Sequence, residues 1–303
     1  MNGEVEEPGP ATHLTPAARQ LLHLPDAERI ARIRADRWVD TPRAVLALGK
    51  LADLLDSPPR ARMPNVLIWG DSGMGKTMIA EKFLRDHPPS FDATAGVRRT
   101  PVLAIDMPAI PDPKWLFAQI LQALDAPLPG GGRIDLATLA PRTIRLMQMI
   151  GVRLLVIDEV HNLLVGPHRS QRAMLNVIRQ LANELRVPLV CLGTREAREA
   201  LLSDPQLVRR FEGFELPRWQ RGEEFYGLVN TLLRTLPLRR PSRLGTKGFD
   251  QVLVRADGIT ANIFTLMTTL AVAAIRSGQE EITAADIRRS GALAAPLDAN
   301  PSS

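Results

Sequence analysis

The 303-residue sequence contains a single cysteine, Cys191. One thiol excludes an internal disulfide framework and a zinc site built from cysteines, and it suits the reducing environment of the cytoplasm. Cys191 lies in the apolar segment VPLVCLG, which predicts a strand. The residue is therefore expected to be a small buried filler and not a reactive thiol.

The sequence also has no long apolar run. Its most apolar stretch, IFTLMTTLAVAAI (residues 263–275), is interrupted by threonines and is too short to span a bilayer. The first ten residues, MNGEVEEPGP, are acidic and have no apolar core of the kind that a secretory signal requires. We therefore expect a cytoplasmic protein with no membrane partner.

Lysine is scarce. Of the 38 basic residues only five are lysine and 33 are arginine, and the formal net charge is +5. The abundance of arginine has two explanations. A genome rich in G and C would favour arginine codons, whereas a protein that binds nucleic acid would use arginine for bidentate phosphate contacts.

Short apolar runs alternate with helical patterns between residues 65 and 217. The runs predict strands that are apolar on both faces, which is typical of a parallel sheet covered by helices on each side. Beyond residue 217 only helical patterns follow, so a small all-helical domain is expected there. The sequence thus predicts an α/β fold with a helical domain after it. The predicted strands are NVLIWG, TPVLAIDMP, VRLLVIDE, VPLVCLGT and FEGFELP.

The patterns divide the chain into successive segments. Residues 1–40 predict an N-terminal arm, loosely ordered to about residue 24, and then a helix that begins at Asp26. Residues 41–216 predict the α/β nucleotide-binding domain, and residues 217–292 the helical domain, with a capping box at Thr283 and Asp286. Residues 293–303 are expected to be a disordered tail.

The segment GDSGMGKT matches the phosphate-binding pattern G-x-x-x-x-G-K-[ST], with a predicted strand before it and a helix after it. Its backbone N–H groups would surround a β-phosphate, Lys76 would reach the β and γ oxygens, and the hydroxyl of Thr77 would bind magnesium. ATP and Mg²⁺ are the predicted cofactors. The predicted phosphate-binding residues are Gly70, Asp71, Ser72, Gly73, Met74, Gly75, Lys76 and Thr77.

Two adjacent acids end the predicted strand RLLVIDE. Ligands of parallel sheets bind at the carboxyl ends of the strands, where Asp158 and Glu159 would lie. Asp158 is predicted to bind magnesium, while Glu159 is placed to orient and deprotonate the water that attacks the γ-phosphate. His161 follows closely and is left without a role.

Three further residues are candidates for the hydrolytic site. Thr194 ends the strand VPLVCLGT, and its hydroxyl could sense the γ-phosphate, cap the following helix, or do both. Arg209 and Arg210 precede the last predicted strand. In a lone subunit they would be solvated, whereas in a ring or filament one of them can reach the γ-phosphate held by the next subunit.

The order of these motifs resembles an AAA+ ATPase with a helical lid. Several segments, in order, resemble the TniB family, relatives of the TnsC transposition regulators, over most of residues 30–275. The resemblance implies a bacterial, ATP-dependent regulator that assembles on target DNA, recruits a DDE transposase (TniA in the namesake systems) and helps choose the insertion site. From the shared hydrolytic site we expect ATP to hold the subunits together on DNA and hydrolysis to release them. The segments are RADRWVDTPRA, RMPNVLIWGDSGMGKT, PDPKWLFAQILQAL, DEVHNLL, LGTREA and RRFEGFELPRW.

One departure from the family pattern affects the expected rate. Many AAA+ relatives carry a lid arginine in a G-x-x-R pattern, but this sequence reads DGITANIF, with Ala261 at that position and Asn262 next. We therefore expect slow hydrolysis, modulated by DNA or a partner.

Binding to double-stranded DNA is expected to be independent of base sequence, and its affinity is expected to fall as the salt concentration rises. In related ATPases the turn after the second strand faces the central pore, which makes Lys114 and Arg133 the DNA-binding candidates. Lys114 is equally explained as a first-turn residue of a solvated helix. The basic loop at residues 238–248 is either a contact to a partner or to DNA, or only solubilising.

Two other functions remain open. A helicase-loader or replication-initiator ATPase would share the phosphate-binding loop, the arginines and DNA binding. A nucleotide-binding adaptor without useful hydrolysis is a third hypothesis, which Glu159 disfavours.

Overall fold

The computed structural model describes residues 11–60, 62–94, 96–128 and 135–290. These residues form two compact units. One runs from Pro42 to Pro217, and the other combines the described residues up to Thr41 with those from Arg218 onward. The predicted disordered tail (residues 293–303) and Arg133 lie outside the described residues.

A five-stranded sheet forms the centre of the unit from Pro42 to Pro217. All of its strand pairs are parallel, as the unalternated apolar runs predicted. The strands are β1 (Asn65–Trp69), β4 (Val102–Asp106), β5 (Leu154–Asp158), β6 (Leu189–Gly193) and β7 (Phe211–Glu215). Their order across the sheet is β4-β5-β6-β1-β7, so β1 lies in the interior.

The register brings the functional strand ends together. Trp69 of β1 is paired with Gly193 of β6, and Ile157 of β5 with Cys191 of β6. Because these strands run in parallel, the residues that follow β1, β5 and β6 emerge at the same edge of the sheet. Cys191 is fully buried, and burial raises the pKa of its thiol to about 12, which confirms its prediction as an apolar filler.

Helices cover the sheet and form a core with it. Phe117, Leu155 and Ile178 are fully buried in one apolar cluster. A 3₁₀ helix (Val160–Leu164) follows β5 directly. The helices of this unit are α3 (Pro42–Leu55), α4 (Lys76–Asp86), α5 (Pro113–Ala123), α6 (Leu136–Ile150), α7 (His168–Glu184), α8 (Arg195–Leu202) and α9 (Pro205–Val208).

A short antiparallel hairpin between α4 and β4 was not expected from the sequence. Its strands are β2 (Ser90–Asp92) and β3 (Val97–Arg99). The strands are three residues long and contain no apolar run, so they carry no periodic signal. The side chain of Arg99 holds the hairpin by donating to the carboxylate of Asp92 and to the carbonyl of Met149.

The second unit is all-helical over its described residues, as predicted for its C-terminal part. Thr283 and Asp286 form the predicted capping box. The unit contains α1 (Pro16–Gln20), a 3₁₀ helix (Leu21–His23), α2 (Asp26–Arg34), α10 (Glu223–Thr235), α11 (Gly245–Ala256), α12 (Thr260–Arg276) and α13 (Ala284–Arg289).

The expectation of a loosely ordered arm is wrong for residues 11–24. Leu14 and Ala18 are buried, and the N–H of Thr15 donates to the carbonyl of Arg234 at 2.9 Å. Ile33 and Val39 share an apolar core with the C-terminal helices. The N-terminal segment therefore belongs with the helical unit, a long-range association that local periodicity does not encode.

In the part of the chain that the structure describes, no single helix is long and apolar enough to cross a membrane. Helices α11 and α12 meet the length and composition criteria only as a consecutive pair, bent by 118°.

Candidate nucleotide-binding site

The phosphate-binding loop, residues 70–77, connects β1 to α4 and needs glycine for steric reasons. A Cβ on Gly70 would lie 2.4 Å from the carbonyl oxygen of Leu216, closer than any real Cβ contact. Gly75 precedes α4 with a φ of +95°, a left-handed conformation that favours glycine. The loop therefore turns tightly and presents the N-terminus of α4, where the free backbone N–H groups attract anions.

Lys76 folds back onto this loop. Its Nζ donates to the carbonyl oxygens of Gly70 at 2.8 Å and of Asp71 at 2.9 Å. Burial lowers the pKa of Lys76, while the charges of Asp158 and Glu159 oppose that shift. The ammonium group of Lys76 thus donates to neutral carbonyl oxygens of the loop. The oxygens of a bound phosphate would be charged acceptors, which form stronger hydrogen bonds with it.

Thr77 and Asp158 meet across the gap between α4 and β5. The hydroxyl of Thr77 donates to Oδ2 of Asp158 at 2.6 Å, and the backbone N–H of Glu159 donates to Oδ1 of Asp158, also at 2.6 Å. No group of three or more His, Cys, Asp or Glu side chains able to hold a metal exists among the described residues. Magnesium bound to a nucleotide needs few protein donors, because phosphates and water supply the rest. Thr77 and Asp158 therefore fit Mg²⁺.

Glu159 follows β5 in a left-handed backbone conformation, with φ 54° and ψ 35°. A residue other than glycine costs roughly 1–2 kcal/mol in that conformation. The side chain is half exposed, and its Oε2 lies 3.1 Å from Nδ1 of His161. The carboxylate that the sequence assigns to catalysis is therefore beside an imidazole to which the sequence assigned no role.

Thr194 lies at the N-cap position of α8, directly after β6, but its side chain makes no capping hydrogen bond. The nearby hydroxyl of Thr194 lowers the pKa of Glu196. The capping role left open above is thus absent. The N–H of Gly70 donates to the carbonyl of Gly193 at 3.2 Å, so Thr194 lies next to the start of the phosphate-binding loop.

Arg209 and Arg210 lie at the opposite edge of the sheet, before β7. The N–H of Asn65, the first residue of β1, donates to the carbonyl of Arg210 at 3.0 Å. Since β1 has five residues, its length of about 16 Å separates these arginines from the loop at its other end. The structure therefore brings together the candidates from residues 70–77, 158–159 and 194, but not the two arginines.

A cleft of about 810 Å³ opens at the edge where the two arginines lie. Arg60 and Arg62 line it together with Arg209 and Arg210, and sequence reasoning did not single out Arg60 or Arg62. The carboxylate of Glu212, which also lines the cleft, is paired with Lys50. The cleft is therefore strongly basic.

The remaining candidates lie elsewhere. Lys114 is in the first turn of α5, where its backbone N–H donates to the side chain of Asp112 at 2.7 Å. In the basic loop at residues 238–248, Arg239 pairs with Glu280 at 2.8 Å, so part of that loop's charge is satisfied internally. Asn262 donates to the carbonyl of Ala256 at 3.3 Å, which closes the end of α11.

The family model described as Bacterial TniB protein matches residues 29–221, more than half of the chain. The chain belongs to the TniB family. This confirms the resemblance seen in the sequence. The matched range contains the whole phosphate-binding loop, Asp158, Glu159, Thr194 and both arginines. No curated protein sequence matches the chain.

The fold of this TniB-family protein is similar to solved AAA+ structures. The ORC2 protein of Aeropyrum pernix, in ADPNP–ADP complexes, aligns with a TM-score of 0.57 and 15% identity over 85% of this chain and 70% of that one. The ORC1 protein of Aeropyrum pernix in complex with DNA aligns with a TM-score of 0.57 and 20% identity, over 86% of this chain and 67% of that one. Cdc6p from Pyrobaculum aerophilum aligns with a TM-score of 0.59 and 17% identity, over 83% of this chain and 67% of that one. The AAA+ fold is thereby confirmed.

Proposed function

We propose that this TniB-family protein is an ATP-hydrolysing regulator of DNA transposition that assembles on double-stranded DNA. The observation that carries the proposal is the meeting of Thr77 and Asp158 at 2.6 Å beside Lys76, with Glu159 next in the chain. In P-loop ATPases these residue types bind the β- and γ-phosphates and place the attacking water. Their convergence at one edge of a parallel sheet supports nucleotide binding and hydrolysis.

Each side chain has a defined part in this reaction. Lys76 moves from the loop carbonyls to the phosphate oxygens and neutralises their charge. Thr77 and Asp158 would hold Mg²⁺, which would supply positive charge to offset the negative charge of the phosphates. Glu159 orients a water molecule toward the γ-phosphorus and accepts a proton from that water as it attacks. The bond between the γ-phosphorus and the bridging oxygen of ADP then breaks, and inorganic phosphate leaves.

A second copy of the chain completes the site. Arg209 and Arg210 are too far from their own phosphate-binding loop, yet they line a basic cleft on the opposite edge. Subunits arranged head to tail, in a ring or a helical filament, place that cleft against the next subunit's γ-phosphate. Bound ATP then joins one subunit to the next, and hydrolysis weakens the joint.

DNA is the proposed template for assembly, through sequence-independent contacts to the phosphate backbone. Lys114 and the abundance of arginine support this, as does a fold similar to that of the Aeropyrum pernix ORC1 protein, solved in complex with DNA. The TniB-family motifs support recruitment of a DDE transposase to the assembly. Ala261 in place of a lid arginine, with Asn262 bonded within its own unit, supports slow turnover.

Electron microscopy with duplex DNA and a non-hydrolysable ATP analogue tests the assembly. Rings or filaments are expected for the wild-type chain and for Glu159→Gln, which keeps ATP but does not turn it over. Lys76→Ala removes nucleotide binding and should remain unassembled, whereas Glu81→Gln, an exposed acid on α4, should match wild type. Monomers under all conditions would refute the proposal.

The second candidate is a replication-initiator or helicase-loader ATPase, favoured by the similarity to ORC and Cdc6 folds. The partner distinguishes the two. Assembled protein on DNA is mixed with a DDE transposase or with a replicative helicase, and co-sedimentation is measured with ATP and with ADP. Retention of the transposase with ATP supports transposition, and retention of the helicase alone supports the second candidate.

A further inference from the structure

The basic cleft at the edge where β1 and β7 begin has the donors of a phosphate-binding site. Four arginines line it together with Asn65, and its volume is about 810 Å³. Pockets for small ligands typically measure about 300–1,000 Å³, so the cleft has room for a group larger than a single ion. Glu212 is the one acid among the described residues that line the cleft, and its carboxylate is paired with Lys50. An anion would therefore meet several positive charges there. The four arginines are Arg60, Arg62, Arg209 and Arg210.

Asn65 adds a buried donor to this cleft. Its side-chain oxygen accepts from the N–H of Leu189 at 2.9 Å, and its backbone N–H donates to the carbonyl of Arg210 at 3.0 Å. These bonds hold the residue against β6 and against the turn before β7. Asn65 is only 1% exposed, yet its Nδ2 has no hydrogen-bond partner among the described residues. A buried amide group without a partner is costly, so an acceptor that enters the cleft is favoured beside it.

The two arginines before β7 differ in what they contact. Arg210 donates through Nη1 to the side-chain oxygen of Asn183. The side chain of Arg209 is exposed and forms no hydrogen bond or ion pair with the described part of the chain. The exposed guanidinium groups of Arg60 and Arg62 also have no partner within that part. Arg210 is thus bonded within its own subunit, whereas three guanidinium groups are available to a ligand.

We propose that this cleft binds the γ-phosphate end of ATP held by the next subunit, and that Arg209 is the arginine that contacts the γ-phosphate. Arg60, Arg62 and the amide of Asn65 bind the phosphate oxygens around it, while Arg210 holds the turn that carries Arg209. This inference rests on the proposed hydrolytic site shared between subunits. It goes further because it gives the two adjacent arginines different parts and adds three residues to the site.

The chemistry of the reaction favours guanidinium groups at this position. A guanidinium binds two phosphate oxygens at once, and hydrogen bonds between ionised groups are stronger than neutral ones. During hydrolysis, an arginine supplied by a neighbour stabilises the charge on the γ-phosphoryl group in the transition state. ADP has no γ-phosphate, so it leaves Arg209 without this contact. The cleft therefore distinguishes a neighbour with ATP from one with ADP, which makes assembly depend on the bound nucleotide.

Inorganic tripolyphosphate, the phosphate chain of ATP without its nucleoside, tests the cleft apart from catalysis. The calorimetric titration uses the Lys76→Ala chain, in which the phosphate-binding loop no longer contributes. This chain should bind tripolyphosphate, and adding Arg209→Ala or Asn65→Asp should weaken the binding several-fold. Asn65→Asp keeps the oxygen that accepts from Leu189 but replaces the amide donor with a negative charge. An affinity that neither substitution changes would overturn the proposal.

Two arginine substitutions are matched controls in the same titration. Arg210→Ala should weaken the binding less than Arg209→Ala does, because the Arg210 side chain is already bonded to Asn183. Arg142→Ala, which changes an exposed residue on α6, should leave the affinity as it is. The melting temperature is measured for every variant, which separates a lost contact from a lost fold. An Arg210→Ala chain that binds more weakly than Arg209→Ala would overturn the separate parts of the two arginines.

Mixing experiments on DNA test whether the phosphate belongs to the next subunit. Arg209→Ala, and the double variant Arg60→Ala/Arg62→Ala, should bind ATP normally but hydrolyse it several-fold more slowly than wild type. Each should regain a substantial fraction of the wild-type rate when mixed with Lys76→Ala, which supplies an intact cleft. The loss of rate for Arg210→Ala should be much smaller than for Arg209→Ala. No recovery on mixing, or a larger loss for Arg210→Ala, would contradict the proposal.

The outcomes distinguish this inference from the proposed function. If the wild-type chain does not hydrolyse ATP on DNA, the proposed function fails, and the tripolyphosphate titration still decides whether the cleft is a phosphate site. If wild type hydrolyses ATP, and the Arg209 and Arg60/Arg62 variants match its rate, the inference alone is overturned. Slow variants that Lys76→Ala restores support both.

Discussion

Arg29 and Glu280, 251 positions apart in the sequence, form a buried ion pair in the helical unit. The Arg29 guanidinium donates to both carboxylate oxygens of Glu280, at 2.6 Å and 2.9 Å, and to the carbonyl of Pro237 at 2.9 Å. Arg29 is fully buried. The pair thus joins helix α2 to the segment that follows α12, which explains why the first described helices and the C-terminal helices form one unit.

Breaking this pair from one side should destabilise the helical unit. Arg29→Met leaves the Glu280 carboxylate buried with only Arg239 to compensate it, so a loss of about 3 kcal/mol in unfolding free energy is expected. The double variant Arg29→Met/Glu280→Met should recover most of that loss, since no buried charge remains. Urea titration measures both, with Arg32→Met on the exposed face of α2 as control. An Arg29→Met variant as stable as the control would contradict the assignment.

The same pair predicts a pH dependence of stability. Burial alone would raise the pKa of Glu280, but hydrogen bonds from Arg29 and from the N–H of Arg239 outweigh it and hold the pKa below its ordinary value of 4.5. The stabilisation is therefore present above that value and is lost as pH falls through the lower folded-state pKa. Glu280→Gln should flatten the fall in unfolding free energy below about pH 4.5. A curve parallel to that of wild type would count against it.

Alanine at two glycines should have opposite effects on stability. At Gly70 a Cβ would strike the carbonyl of Leu216 at 2.4 Å, so Gly70→Ala should lower the melting temperature and weaken nucleotide binding. At Gly49, inside α3, the Cβ meets nothing within 4 Å, so Gly49→Ala should stabilise the protein by about 0.5–1 kcal/mol. Thermal melts with and without ATP measure both. Equal effects would contradict the steric argument.

Substitutions at Thr77 should separate magnesium binding from nucleotide binding. Thr77→Val keeps the shape of the side chain but removes the hydroxyl, so the gain in ATP affinity on adding Mg²⁺ should be largely lost. Thr77→Ser keeps the hydroxyl and should retain the gain. A fluorescent ATP analogue titrated with Mg²⁺ and with EDTA gives the comparison. A Thr77→Val variant with a full magnesium response would exclude Thr77 as a ligand.

Mixing two inactive variants should restore hydrolysis if the site is shared between subunits. Lys76→Ala cannot bind ATP but presents Arg209 and Arg210, and the Arg209→Ala/Arg210→Ala variant binds ATP but presents neither. With DNA present, the mixture should hydrolyse ATP at a substantial fraction of the wild-type rate, although each variant alone is nearly inactive. Arg169→Ala, an exposed arginine on α7, serves as control. A mixture no more active than its components would refute a site in trans.

The phosphate-binding loop, the two acids and the parallel sheet were all predictable from the sequence. Their signals are local: a motif between a strand and a helix, acids at the end of an apolar run, and strands without alternation. The hairpin at Ser90–Arg99 could not be predicted, because its short polar strands are held by side-chain bonds of Arg99 and not by an apolar pattern.

By itself, the sequence determined that the chain has the motifs of a nucleotide-binding α/β protein, since loop sterics and strand burial act over a few residues. Only the tertiary structure decided which side chains meet. It set His161 beside Glu159 and joined Arg29 to Glu280, 251 positions away in the sequence. Such pairings depend on packing between distant elements, which no local pattern records.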